Sequence, residues 1–283
     1  MADGDLPATT GASQLVSYSM CPRKYACQYV LGLEPEFTST ALIVGSVVRS
    51  GIAWWFGERL LGGSPTIDQA LEVVAADFTA ATADERVRWK EQTPESLENQ
   101  IRELIRTYLS EHGNLPVVAI EQPFEVDLED PMDPARTLPR KLRGYFDLVL
   151  EDTTVIELET SAKAWPESFL VRHLQIGAYA FAWNVHHGGP CQLDVHVVIK
   201  TQKPRVDAHR IQRGEPATKW WFEATAAIES AILAGHFPPS PGPLCMECEF
   251  QGACSRWEQP PQALDPRRSL PVVQRASLPM FAF

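Results

Sequence analysis

Apolar and polar positions change period several times along the chain, and the changes mark out its elements. Residues 144–150 alternate and end in an apolar run, Glu151-Asp152-Thr153-Thr154 supplies turn chemistry, and 154–158 is a second run of β type. From about Glu167 the apolar positions recur at helical spacing, so residues 144–179 predict two short strands followed by a helix. Upstream, a helix is expected from Ser13, a second over 41–61, and two or three amphipathic helices within 66–112. Gly113-Asn114-Leu115-Pro116 breaks that pattern. Residues 124–128 and 191–200 alternate as strands, a further short strand runs up to Arg210, and 217–234 is a long amphipathic helix ending at Gly235. Trp54, Trp55 and Phe56, and later Trp220, Trp221 and Phe222, are expected to pack inward. Of 66–112, Trp89 is expected to serve helix packing.

With 283 residues, 45% of them hydrophobic, the chain can bury a core as one large domain or two closely joined ones. There is no apolar run long enough for a bilayer span, and residues 1–10 lack the basic-then-apolar pattern of a secretion signal. A soluble cytoplasmic protein with no membrane partner is therefore expected. The net charge of −11 argues against nucleic-acid binding by bulk charge, although a basic cleft can sit in an acidic body. Local basic clusters exist at Arg136, Arg140, Lys141 and Arg143, and again at Lys200, Lys203, Arg205, Arg210 and Arg213. Taken alone they read as solvated loops.

Two groups of residues carry chemistry. Asp147 and Glu157 fall in otherwise apolar strands, where a carboxylate is costly unless it is paired or holds a metal. Meeting across adjacent strands, they would make a hard oxygen site suited to Mg²⁺ or Mn²⁺. Cys245-x₂-Cys248-x₅-Cys254 lies in the Pro/Gly-rich stretch 238–257, and such spacing in a cytoplasmic chain suggests metal before disulfide. The spacing leaves Zn²⁺ and an iron–sulfur cluster both open. Cys27 and Cys191 have no place in the pattern and read as structural.

Gly144-Tyr145-Phe146-Asp147, the strand residues Glu157-Leu158-Glu159-Thr160, the helical Gln175-x₃-Tyr179 and the opening Ser13-x-Leu15…Tyr18…Cys21-Pro22-x₂-Tyr25 together resemble the PD-(D/E)XK nuclease superfamily. The likeness is to its RecB-like branch, which includes the CRISPR adaptation exonucleases, and it covers residues 13–257. It implies an α/β fold: a restriction-endonuclease-like mixed sheet flanked by helices, an N-terminal helical region, and a cysteine-bound cluster joining the two ends. The corresponding division is a disordered 1–11, a helical region over 12–115, the nuclease core over 116–237, the cysteine segment 238–257 and an extended tail over 258–283. The resemblance implies Asp147 and Glu157 as metal ligands, with the Leu158 carbonyl and Glu121 of the first strand, and Gln175 and Tyr179 orienting substrate. It also implies that Cys21 joins Cys245, Cys248 and Cys254 around a [4Fe–4S] cluster.

This chain departs from the family pattern twice. The family lysine is Glu159, and the histidine of a Gly-x-x-x-His helix is Arg49, four residues after Gly45. Lys163 is the candidate to replace the lost amine, and Arg49 and Arg143 are the expected substrate-binding cations, since arginine holds a phosphate bidentately. The expected function is a metal-dependent DNA nuclease, an exonuclease on single strands or duplex ends, with an atypical or disabled active site. The alternative is an inactive DNA-binding or assembly subunit of a DNA-processing complex, with protein partners; DNA repair and CRISPR adaptation both use this branch. The tail ends Ser277-Leu278-Pro279-Met280-Phe281, which loosely resembles sliding-clamp-binding peptides, although packing back on the domain is the favoured reading of so short a pattern.

Overall fold

Residues 7–189 and 192–257 are described by the computed structural model. In chain order they form β1 (Thr9–Gly11), α1 (Ala12–Met20), α2 (Pro22–Tyr25) running into a π turn (Ala26–Val30), β2 (Thr38–Ser39) and α3 (Thr40–Leu60). Then come α4 (Ile67–Ala81), β3 (Val87–Arg88), α5 (Pro94–His112), β4 (Val117–Val126), β5 (Glu129–Asp130) and β6 (Asp133–Thr137). The chain continues through β7 (Lys141–Leu150), β8 (Val155–Ser161), α6 (Glu167–Arg172) and α7 (Leu174–His187). It ends with β9 (Leu193–Ile199), β10 (Arg205–Ile211), α8 (Glu215–Leu233), a 3₁₀ turn (Pro243–Glu247) and α9 (Gln251–Ser255). Cys191 and the tail from 258, with its clamp-like sequence, lie outside the described residues.

Two compact units result. The first, Glu36–Val126 with Arg143–Trp221, is built on a mixed sheet in the order β4-β7-β8-β9-β10. Pairing is antiparallel for β7–β8, parallel for β8–β9 and antiparallel for β9–β10. The parallel step needs a crossover, and α6 and α7 supply it. Helices α3, α4 and α5 bury their apolar sides against Leu148, Leu150, Ile156, Leu158 and Val198, with Ile52, Phe56, Val74, Ile101 and Tyr108 at the centre. The helices start where hydroxyls can cap them: Ser39 accepts from Leu42 N–H, Thr66 from Gln69 N–H and Thr93 from Ser96 N–H. Helix α3 is long and apolar enough to cross a membrane by length and composition, contrary to the reading of the sequence. More than half of that stretch is buried within the fold, because α3 is packed on several sides as the central core helix.

The second unit, over the described residues 7–35, 127–142 and 222–257, brings together segments distant in sequence. Tyr18, Tyr25, Ile232 and Phe237 form its core, and Tyr18 donates to the His236 carbonyl at 2.6 Å. Residues 9–11, expected to be disordered, form a strand whose Thr10 is fully buried; next to it, Lys141 N–H donates to the Ala8 carbonyl at 3.0 Å. Arg140 is no solvated-loop cation either: it is buried on Glu229, and Arg136 is held by Glu223 and Asp130. In the first unit Arg205 and Arg210 pair with Asp207 and Asp194. Sequence clustering of these basic residues therefore did not mean a shared basic surface, because Arg136, Arg140, Arg205 and Arg210 each pair with a carboxylate. Of the Trp220-Trp221-Phe222 run, Trp221 and Phe222 are buried but Trp220 is 41% exposed, since three consecutive helical positions cannot share one face.

Candidate active site

The hairpin β7–β8 sets the geometry. Its turn closes on Asp152, whose Oδ1 accepts Thr154 N–H at 3.0 Å, with Thr153 at φ 68°. Leu148 pairs with Ile156 and Val149 with Val155, and the same register carried one residue on sets Asp147 across from Glu157. Strand alternation then separates the two sides. Ile156 and Leu158 enter the core beneath α3–α5, while Glu157 and Glu159 point the other way, where α7 brings Gln175 to them.

Asp147 and Glu157 are 4% and 1% exposed. Asp147 Oδ2 accepts Leu158 N–H at 2.8 Å, which locks the carboxylate and leaves Oδ1 for a cation. Gln175 Nε2 donates to Glu157 Oε1 and lies 3.4 Å from Glu159 Oε1. Glu157 Oε2 is buried with no hydrogen-bond partner. Burial, then the charge of Asp147, pushes the Glu157 carboxyl well above the usual carboxylate range. Burial also raises Glu159, to about 7, against the lowering field of Arg49. Tyr179 is raised by burial and by the carboxylates, so its phenol stays protonated.

The cation here is Arg49. Its Nη2 donates to the Leu158 carbonyl at 3.1 Å, and its Nε lies 3.5 Å from Asp147 Oδ1. Burial opposes its charge, but Asp147, Glu157 and Glu159 more than offset that and hold it protonated. The side chain as a whole is 37% exposed, while Nε is buried and makes no hydrogen bond. Gly45, one turn before Arg49, lies over β8, where a Cβ would stand 3.4 Å from Thr160 Oγ1, an ordinary contact.

Helix α7 is separate from α6, against the expectation of one continuous helix. His173 interrupts them with an extended backbone, φ −69° and ψ 126°, and serves as the N-cap of α7. Gln175 and Tyr179 are four apart and share a face, their polar atoms 3.5 Å from each other. The helix is seated by Gly177, where a Cβ would fall 2.1 Å from Trp221 Cδ1, and by Trp221 Nε1 donating to the Leu174 carbonyl at 2.8 Å.

Other sequence candidates stay outside this group. Glu121 is exposed on β4 at φ 44° and takes no part in the contacts joining the carboxylates. Lys163 is exposed in the turn after β8, its backbone N–H held by Ser161 Oγ, and Arg143 is exposed on β7. A group that sequence reasoning missed lies behind the site: His196, in register with Leu158, shares a hydrogen bond with Tyr108 Oη at 3.1 Å and lies against His112 with ring centroids 4.5 Å apart and planes tilted by 40°. Burial lowers His196 to about 4, so it is a neutral core residue, legible only as the one polar residue in the apolar run 195–199.

Asp147 Oδ1, Glu157 Oε2 and the Leu158 carbonyl are hard oxygens on one hairpin, and three carboxylates face a single guanidinium. The donor chemistry and the orphaned Glu157 oxygen fit a divalent cation of the Mg²⁺ or Mn²⁺ class. Among the described residues no three His, Cys, Asp or Glu side chains surround one point as a ready cage. Cys21, Cys27, Cys245, Cys248 and Cys254 are all free thiols of the second unit. Cys27 is raised to about 11, by burial first and then by Cys254 and Cys248, so it lies near the pattern from which sequence spacing excluded it.

The family model described as the PD-(D/E)XK nuclease superfamily matches residues 9–255. Among solved structures, a protein from Eubacterium rectale, whose exonuclease assignment is itself provisional, is 14% identical with a TM-score of 0.54, over 90% of each chain; that likeness is one of fold. A second, designated SSO0001, is also 14% identical, but its TM-score of 0.34, over 79% of this chain and 87% of that one, carries no argument. No curated protein matches.

Proposed function

Because the chain belongs to the PD-(D/E)XK nuclease superfamily, whose members generally use Mg²⁺ or Mn²⁺, we propose that it is a divalent-metal-dependent deoxyribonuclease centred on Asp147 and Glu157. The observation that supports this reading is that Asp147, Glu157 with its unpartnered Oε2, and the Leu158 carbonyl lie together on one buried hairpin. A bound divalent ion would supply hydroxide at neutral pH and stabilise charge on the phosphate. The chain's own residues do the rest: Gln175 fixes the orientation of Glu157, Leu158 N–H fixes Asp147, and Tyr179 keeps its proton as a donor. Glu159, near 7, can take up or release a proton at the position where the family has lysine. Arg49 and Arg143 are proposed to meet phosphate, and Lys163 is the reserve amine. We place the activity in the cytoplasm, on ends or single strands of DNA.

The cysteine segment extends the proposal. Cys21, Cys245, Cys248 and Cys254 are assigned to a [4Fe–4S] cluster, as in the RecB-like branch; in support, all four are free and belong to one unit. A second reading, a DNA-binding or assembly subunit without hydrolysis, is favoured by one observation, the seating of Arg49 on Asp147 together with Glu159 in place of the lysine.

The deciding experiment is Mn²⁺-dependent cleavage of end-labelled single-stranded and duplex DNA. The chain should cut, and Asp147→Ala should lower the rate by about 10²-fold or more, the scale of losing a preorganised charge-stabilising group. No cleavage of any DNA form by the parent, with cleavage appearing in Glu159→Lys, would establish the second reading.

A further inference from the structure

We propose that Arg49 is a resident counter-ion that competes with the divalent metal for the carboxylate centre, so that metal enters only as the guanidinium leaves. The inference rests on the metal reading above and adds to it a residue that sets metal affinity.

Arg49 hydrogen-bonds one of the three groups a metal would use and stands at ion-pair distance from a second. Asp147 Oδ2 is committed to Leu158 N–H at 2.8 Å, so Oδ1 is its cation-facing oxygen, and Arg49 Nε stands 3.5 Å from it. The Leu158 carbonyl accepts from Arg49 Nη2 at 3.1 Å. A guanidinium has only donors and cannot join a metal's ligand shell; it can only exclude the ion from these oxygens or step aside for it. What Arg49 leaves uncovered is Glu157 Oε2, buried and unpartnered. One fixed positive charge facing Asp147, Glu157 and Glu159 holds the centre together without metal.

The side chain is also built to leave. Its side chain is 37% exposed, and helix α3 is anchored by its apolar residues rather than by Arg49. Helix α3 packs against β8 and so sets where the side chain begins, and its four rotatable bonds decide where the head lies. Leaving Asp147 exposes the guanidinium to solvent or to a phosphate, both acceptable partners for it.

The test is direct Mn²⁺ binding to the full chain without DNA, followed by electron paramagnetic resonance of free Mn²⁺ and by calorimetry. The parent is compared with Arg49→Ala, and with Arg49→Gln should the alanine variant fail to fold. Asp147→Ala in the Arg49→Gln background reports whether the ion sits at this centre. Competition predicts Mn²⁺ binding about tenfold or more tighter in the Arg49 variants, at about 1.4 kcal/mol per factor of ten, and lost again with Asp147→Ala. It also predicts that Mn²⁺ raises the melting temperature more in Arg49→Gln than in the parent. Equal or tighter binding by the parent overturns the proposal and leaves the metal reading standing. No binding by parent or variants overturns both.

Discussion

Arg140 and Glu229 form a two-pronged ion pair, Nε to Oε2 at 2.6 Å and Nη2 to Oε1 at 2.7 Å, with only 2% and 1% of the side chains exposed. It links the residues just before the β7 hairpin to α8 within the second unit, 89 positions apart. Such a pair contributes little over an apolar substitute, but removing one partner strands a buried charge. Glu229→Ala is therefore expected to cost about 3–5 kcal/mol in urea unfolding. Glu229→Gln, which can still accept a hydrogen bond, should cost less. A loss below about 1 kcal/mol for the alanine variant would show that water reaches Arg140.

Glu159 ties stability to pH. Its folded pKa of about 7 lies above the ordinary 4.5, so between those values the folded chain keeps a proton that the unfolded chain releases. Stability contributed by this group is full at low pH and falls as pH rises through that window. In chelator, the parent should lose on the order of 1–3 kcal/mol more than Glu159→Gln between pH 5 and pH 8. Urea titrations at the two pH values measure it, and parallel losses in both proteins would count against the shift.

Gly177 allows α7 to sit against Trp221, with a Cβ position 2.1 Å from the indole ring. Gly177→Ala should destabilise by about 1–3 kcal/mol through overpacking, even though alanine favours helix. Because Gln175 is on the same turn, Mn²⁺ affinity should fall with it. A stabilised Gly177→Ala would mean the helix shifts freely.

Gln175 holds Glu157 and touches no other element of the proposed centre except Glu159 and Tyr179. Gln175→Ala is expected to weaken Mn²⁺ binding by about 10–100-fold, the usual range for a residue that orients a ligand, with little change in melting temperature. Calorimetry beside a thermal melt separates the two effects.

Anaerobic purification should yield about four irons and four sulfides per chain, and Cys248→Ser should lower both. Zinc in place of iron, at one per chain, would replace the cluster by a structural zinc site and leave the nuclease reading intact.

By itself, the sequence determined the alternation and turn of the β7–β8 hairpin, the i,i+4 pair Gln175–Tyr179, the helix α3 and the amphipathic α4 and α5, because these rest on local periodicity. It also marked Asp147 and Glu157, since a carboxylate in an apolar strand is costly whatever packs around it. Only the tertiary structure decided partners. Nothing local tells that Arg140 meets Glu229, that Trp220 faces outward while Trp221 covers Gly177, or that His173 breaks a helix in two. Arg49 is the clearest case: 98 positions before Asp147, it could have been a surface cation or a phosphate clamp. Its seat on Asp147 and the Leu158 carbonyl follows from the packing of α3 against β8, a long-range contact that no periodicity encodes.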